Sequence, residues 1–139
     1  MSDSATASGI SLQGISGGIT APSGFRAAGV LAGIKSSPQL DLALVVSDRL
    51  ASAAGVFTTN KAQAAPVLVS KTNLERSGGL ALAIVCNSGC ANACTGDAGL
   101  EVARSTAEIV ARLFNCRVEQ VLVASTGVIG VDLDLGKIS

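Results

Sequence analysis

The feature that most constrains the fold is a short run of β-branched and small apolar residues that stops abruptly. The run VLVA at 121–124 gives way to Ser125, Thr126 and Gly127. Apolar runs of this length, bounded by small polar residues and glycine, are typical of buried strands. Loops that follow a rigid strand are where binding groups are usually placed. The sequence therefore predicts a buried strand at 121–124 that opens into a candidate functional loop.

Two neighbouring residues of this loop have groups that can bind a negatively charged oxygen. The hydroxyl of Thr126 is a donor, and Gly127 lacks a Cβ, so that its backbone N–H can approach a ligand closely. Together they have the donors that an oxyanion hole needs, but a plain turn at a strand end is the favoured interpretation of these residues alone. Ser125 and Thr126 are also candidate nucleophiles. Because the chain contains no His to activate them, a donor role suits Thr126 better.

Composition points to one folded domain that is part of something larger. The 139 residues are 48% hydrophobic and 14% charged, which is enough apolar content for a buried core. Aromatic residues make up only 2% and glycines number 16, so each residue buries less apolar area than usual. We therefore expect the core to need surface from elsewhere.

The charge and the cysteine content indicate which class of binding partner and which cellular compartment the sequence favours. Lys and Arg total 10, as do Asp and Glu, and no basic run occurs, so nucleic acid is a poor partner. No run approaches the roughly 18 consecutive apolar residues of a membrane helix. Four cysteines without a signal peptide favour a reducing compartment. These observations predict a cytoplasmic protein that binds small molecules or proteins.

The rest of the chain predicts short strands and one long helix. Residues 1–19, rich in Ser and Gly, are expected to form a flexible N-terminal arm, and 20–139 the domain. A helix is predicted at 97–115 with Asp97 as N-cap, and another begins at Asp132 or Asp134. Strands are predicted at 25–34, 41–47, 52–58, 66–70, 80–85 and 121–124, with 41–47 and 52–58 paired antiparallel. The fold class is α/β or α+β with a mostly antiparallel sheet.

A second concentration of small polar residues, CNSGCANACTG, occupies 86–96. Its cysteines Cys86, Cys90 and Cys94 recur every four residues, which on a helix would line one face. The CxxC pairs and His that are typical of zinc sites are missing from the sequence. We therefore predict no metal and interpret the three as small buried thiols.

The Asn and Ser residues of the same segment leave two interpretations open. They can donate hydrogen bonds to a ligand carboxylate or carbonyl at a helix N-terminus, or they can satisfy the backbone of their own turn. The second interpretation is favoured. The residues concerned are Asn87, Ser88, Gly89 and Asn92.

Five blocks of the sequence resemble, in order, the N-terminal part of the ArgJ family. They are TAPSGFRAAGVLAGIK, DLALVVSD, AAGVFTTNKAQAAPV, NSGCANACTG and VASTGVIG, and the resemblance runs from about Thr20 to the end. Members of this family are the ornithine acetyltransferases, or glutamate N-acetyltransferases, of arginine biosynthesis. The position of Cys90 departs from the pattern, in which NSGNANA is more often expected.

The resemblance implies an enzyme that moves an acetyl group from N-acetyl-L-ornithine to L-glutamate, in some members also from acetyl-CoA, and that needs no cofactor. It implies a layered α-β-β-α sandwich like that of the self-cleaving DmpA-type amidohydrolases, with only the N-terminal portion in this chain. Thr126 and Gly127 match the oxyanion hole of the family.

The resemblance also implies a second subunit. Cleavage of the precursor before a threonine frees a β subunit whose N-terminal Thr is the nucleophile, and two α and two β subunits form a heterotetramer. This Thr, which forms an acetyl-threonine intermediate, and the substrate-binding residues are expected beyond Ser139. Two alternatives remain: a DmpA-like aminopeptidase or amidohydrolase, and a non-enzymatic binding module.

Overall fold

The computed structural model describes residues 13–139 in full and, before them, the backbone of two short strands. These strands, β1 (Thr6–Ala7) and β2 (Ile10–Ser11), pair antiparallel. The remaining residues of 1–12 lie outside the described residues. The flexibility predicted for the arm 1–19 therefore stays a prediction.

One four-stranded mixed sheet forms the centre of the domain. Its strands lie in the order β3-β4-β5-β6, antiparallel except for the parallel pair β5 and β6. A parallel pair requires a crossover, and here the connection contains a long helix. The strands are β3 (Phe25–Val30), β4 (Leu42–Ser52), β5 (Leu80–Cys90) and β6 (Val121–Val128). The prediction of a mostly antiparallel sheet is thus confirmed.

Two helices, α1 (Ala65–Arg76) and α2 (Gly96–Phe114), pack on one face of the sheet. Their buried residues form one core with the strand residues that point to that face. Along β5, Ala81, Ala83 and Val85 are buried on the helix side, whereas Ile84 points to the other face and is 39% exposed. Small residues such as Ala103 and Ala107 on α2 allow close packing on the sheet. Within the described residues, the second face of this sheet stays open.

Helix α2 confirms the predicted helix at 97–115. It begins one residue earlier, so that Asp97 lies in the first turn rather than at the N-cap, which is Thr95. A carboxylate there still complements the helix dipole. The helix ends at Asn115 in the left-handed conformation, with φ 50°. The later helix is a single 3-10 turn, Leu135–Lys137, capped by Asp134, whose carboxylate accepts from the Gly136 N–H at 2.9 Å.

The predicted strand at 66–70 is wrong, because these residues lie in α1. Pro66 occupies the first turn of the helix, where its missing N–H costs nothing. Two polar side chains then attach α1 to β6. The Ser70 hydroxyl donates to the Val123 carbonyl (2.7 Å) and accepts from its N–H (2.8 Å), and Asn73 donates to the Val121 carbonyl (2.9 Å). Helix α1 thereby covers the edge of a strand that would otherwise expose unpaired backbone groups.

The predicted strand at 52–58 is also wrong. Strand β4 continues through Ser52 with a register irregularity between Val46 and Ala51, and its partners are β3 and β5. Residues 53–64 contain no regular helix or strand. Conversely, β5 and β6 are longer than the predicted 80–85 and 121–124. Within residues 13–139, neither helix combines the length and apolarity that crossing a bilayer requires.

Candidate functional site

The two polar segments singled out in the sequence lie side by side at the ends of β5 and β6. The register pairs Asn87 with Ser125, Ser88 with Thr126 and Gly89 with Gly127. We call residues 87–90 and 125–128 the polar half of this strand pair, and residues 83–86 and 121–124 its apolar half. The sequence predicted loops here, but the structure shows that both strands continue through the polar segments.

Glycine is required at both Gly89 and Gly127. Their φ angles are +108° and +135°, a region that L side chains rarely adopt. A Cβ on Gly127 would lie 2.6 Å from the Cys90 nitrogen and from the Gly89 carbonyl oxygen, which is closer than real Cβ atoms approach. The two backbones therefore touch at a distance that no other residue permits.

Thr126 and Gly127 are both exposed at this end of β6. Val121 and Val123 point to the helix side, so alternation along the strand places Thr126 on the open face of the sheet. On the helix side, the cavity next to Asn87 and Ser125 has a volume of about 10 Å³, room for no more than a single water. A ligand can therefore reach Thr126 from the open face of the sheet.

The neighbouring amide side chains serve the backbone, as the favoured interpretation predicted. Buried Asn87 donates to the Cys90 carbonyl at 2.9 Å. Asn92, which is fully buried, donates to the Gly99 carbonyl at 2.8 Å and accepts from the Thr95 hydroxyl at 2.8 Å. These bonds hold the turn between β5 and α2.

Of the three cysteines that were predicted to be buried thiols, one is fully buried. Cys90 is buried and its thiol donates to the Val131 carbonyl at 3.2 Å, whereas Cys94 is exposed and Cys86 is half-buried. Burial raises the pKa of the Cys86 thiol above its ordinary value. Because β5 continues through Cys90, the spacing of four is not helical. In the described part of the chain, no three His, Cys, Asp or Glu side chains are grouped so that they could hold a metal ion.

Sequence reasoning missed one buried carboxylate, Asp41, at the start of β4. Burial by itself would raise the pKa of this carboxyl, but backbone hydrogen bonds from Lys35, Ala32 and Ile34, together with the charge of Lys35, lower it below its ordinary value. The sequence signal for a buried Asp41 was its position between a Pro-containing loop and an apolar run. An Asp in an exposed turn has the same sequence context.

The fold and the paired strand ends define a mixed α/β protein with Thr126 and Gly127 exposed at the end of β6. The chain belongs to the ArgJ family, whose model matches residues 26–139. It is 56% identical over 124 residues to the arginine biosynthesis bifunctional protein ArgJ of Gloeobacter violaceus. The aligned region covers 89% of this chain and 30% of that protein.

Two crystal structures share the fold and confirm the predicted fold class. ArgJ from Bacillus halodurans matches with a TM-score of 0.83 and 40% identity, over 88% of this chain and 63% of that chain. The ornithine acetyltransferase of Mycobacterium tuberculosis, solved in complex with ornithine, matches with a TM-score of 0.82 and 49% identity, over 87% and 65%. The chain thus spans 30% of the length of its first curated relative.

Proposed function

We propose that this chain is the N-terminal part of an enzyme that transfers an acetyl group from N-acetyl-L-ornithine to L-glutamate. The observation that carries the proposal is the 49% identity, over 87% of the chain, to an ornithine acetyltransferase solved with ornithine. Acetyl-CoA is a second candidate donor of the acetyl group. The cytoplasm is the proposed location.

Thr126 and Gly127 are proposed to form the oxyanion hole. A nucleophilic Thr outside this chain attacks the acetyl carbonyl, and its own α-amine takes the hydroxyl proton. The carbonyl oxygen becomes an anion, to which the Thr126 hydroxyl and the Gly127 N–H donate. Collapse of this intermediate returns the proton to the leaving ornithine amine and leaves acetyl-threonine, which the glutamate amine then attacks. One such donor contributes roughly 3 kcal/mol to the transition state.

The open face of the sheet supports a second subunit as partner. Phe25 on β3 and Ile84 on β5 are 38% and 39% exposed, in a sheet whose other face is covered by helices. Apolar surface of this kind is usually buried by a partner. We propose that the β subunit with its nucleophilic Thr packs on this face, in a heterotetramer of two α and two β subunits. The nucleophile would then reach Thr126 from the open face.

Mass analysis of the protein purified from its complete gene tests the proposal. We expect two fragments, of which the second begins with Thr by N-terminal sequencing. Incubation with N-[¹⁴C]acetylornithine and glutamate should place the label on glutamate. Label that appears only as acetate would favour the DmpA-like hydrolase. A protein that remains uncleaved and leaves the label on ornithine would contradict both and favour a binding module.

A further inference from the structure

Asp41 joins three neighbouring segments of the fold. It is only 3% exposed. Its N–H donates to the Val30 carbonyl in β3 (3.0 Å), and its carbonyl accepts from the Ser88 N–H in β5 (2.8 Å). Its carboxylate accepts from the N–H groups of Ala32 (2.7 Å) and Lys35 (2.8 Å). A buried carboxylate with these partners fixes the loop 32–35 in one position relative to the sheet.

The loop that Asp41 holds lies directly on Gly89. A Cβ on Gly89 would lie 2.8 Å from Cγ of Lys35, 3.3 Å from Cγ2 of Ile34 and 3.3 Å from the Lys35 nitrogen. The loop therefore closes the space on one side of Gly89. On the other side, Gly127 is in backbone contact with Gly89, as described above. The loop 32–35, Gly89 and Gly127 therefore form a packed column, in which neither glycine has room for a methyl group.

We propose that Asp41 is a positioning residue for the oxyanion hole: its carboxylate holds the loop 32–35 against Gly89, and Gly89 in turn fixes the N–H of Gly127. This inference rests on the proposed role of Thr126 and Gly127. A packed column of this kind transmits displacement because interiors have few voids to absorb it. Loss of the carboxylate then moves the Gly127 donor without removing any group that touches the substrate.

The test compares Asp41→Asn with Asp48→Asn in the complete enzyme. Asp48 is the control because it lies in β4, is exposed, and its carboxylate pairs with Arg26 at 2.8 Å. In Asp41→Asn one acceptor oxygen becomes an NH2 group that faces a backbone N–H. We expect kcat to fall by about 10- to 100-fold with KM little changed, since misplacement of about 1 Å costs this much. Asp48→Asn should retain the wild-type kcat.

Two further readouts separate positioning from ordinary destabilisation. Rates are normalised to active sites by the amount of acetyl-enzyme formed in the first turnover. Asp41→Asn should lower kcat less in a Gly127→Ala background than in the wild type, because Gly127→Ala already displaces the donor that Asp41 holds in place. Hydrogen exchange should become faster at the bonded amides of Ala32 and Lys35, and the amide NMR shift of Gly127 should change. Asp48→Asn should leave all three amides unchanged.

A second pair of variants serves if Asp41→Asn does not fold. Lys35→Ala removes Cγ, the side-chain atom nearest to a Cβ on Gly89, and keeps the amide that binds Asp41, whereas Lys35→Met keeps the stem and removes the charge. Positioning predicts a lower kcat for Lys35→Ala and a normal kcat for Lys35→Met. An equal loss in both variants would mean that the charge matters, and the inference would be overturned.

The outcomes also separate this inference from the proposed function. If Thr126→Ala lowers kcat and Asp41→Asn does not, the positioning role is wrong and the oxyanion hole stands. An additive double variant, or faster exchange at Ala32 without any change at Gly127, also overturns positioning. If Thr126→Ala leaves kcat unchanged, the proposed oxyanion hole fails, while the amide NMR shift of Gly127 still reports whether Asp41 holds the column.

Discussion

The apolar and the polar half of the β5 and β6 pair share the same parallel pairing, but different interactions stabilise them. In the apolar half, Ala83, Val85, Val121 and Val123 are buried in the common core with α1 and α2. In the polar half the paired positions are Ser88 with Thr126 and two glycines, and the donors at Thr126 and Gly127 are exposed. Burial therefore stabilises one half, whereas close backbone contact shapes the other.

This difference separates stability from chemistry within one pair of strands. Apolar side chains contribute free energy in proportion to the area they bury and tolerate small shifts. A donor for an oxyanion must instead be placed within fractions of an ångström. We expect substitutions in the apolar half to change mainly the free energy of unfolding, and those in the polar half to change mainly the rate of acetyl transfer.

The largest effect is expected for Gly127→Ala. The new methyl group would overlap the backbone of Gly89 and Cys90, and the φ of +135° adds strain of about 1–3 kcal/mol. The strand ends must separate, which displaces both oxyanion donors, so we expect kcat to fall by more than about 100-fold. Gly130→Ala is the control, because its φ is +75° but no atom lies within 4 Å of the added Cβ. Equal kinetics for the two variants would show that the contact with Gly89 is irrelevant.

Thr126→Ala tests the polar half without steric change. Removal of one oxyanion donor should lower kcat by about 100-fold, with KM and the urea midpoint of unfolding almost unchanged. Thr126→Ser keeps the hydroxyl and should recover most of the activity. Steady-state kinetics of both variants provide the measurement. If Thr126→Ser is as slow as Thr126→Ala, the methyl group rather than the hydroxyl is what matters.

Val121→Ala tests the apolar half. Val121 is 0% exposed, and removal of about two methylene equivalents should lower the free energy of unfolding by about 2 kcal/mol. The kcat per active site should stay within about 2-fold of the wild type, as expected for a residue without contact to the transition state. Val56→Ala, at a fully exposed position, should change neither quantity. A large fall in kcat for Val121→Ala would contradict the division between the halves.

The sequence predicted the elements whose signal is local and missed those that depend on distant partners. The period of apolar residues in 97–115 predicted α2, and the abrupt end of the run at 124 located Thr126 and Gly127. The segment PVLVS has the composition of a strand, but Ser70 lies there in a helix and bonds to Val123, 53 residues away. No local pattern reports such a bond.

The shape of the site was hidden for the same reason. Glycines at 89 and 127 were interpreted separately as loop residues, and only the parallel register shows that they touch. Asp41 likewise resembles any polar residue before a strand until its two amide donors are known. The resemblance to the ArgJ family identified the candidate oxyanion residues but gave no indication of what supports them.

The smallest effect concerns the pH dependence of Asp41. Its folded-state pKa is lowered, with amide hydrogen bonds overcoming the opposing effect of burial. The charged carboxylate therefore stabilises the fold above the unfolded-state pKa, and this contribution is lost as pH falls through the folded-state pKa. The wild type should have a higher urea midpoint than Asp41→Asn at pH 7, and the difference should shrink below about pH 4. Asp48→Asn, which removes a surface ion pair, should match the wild type throughout. A gap between wild type and Asp41→Asn that persists unchanged at low pH would mean that side-chain shape, rather than the charged carboxylate, holds the loop 32–35.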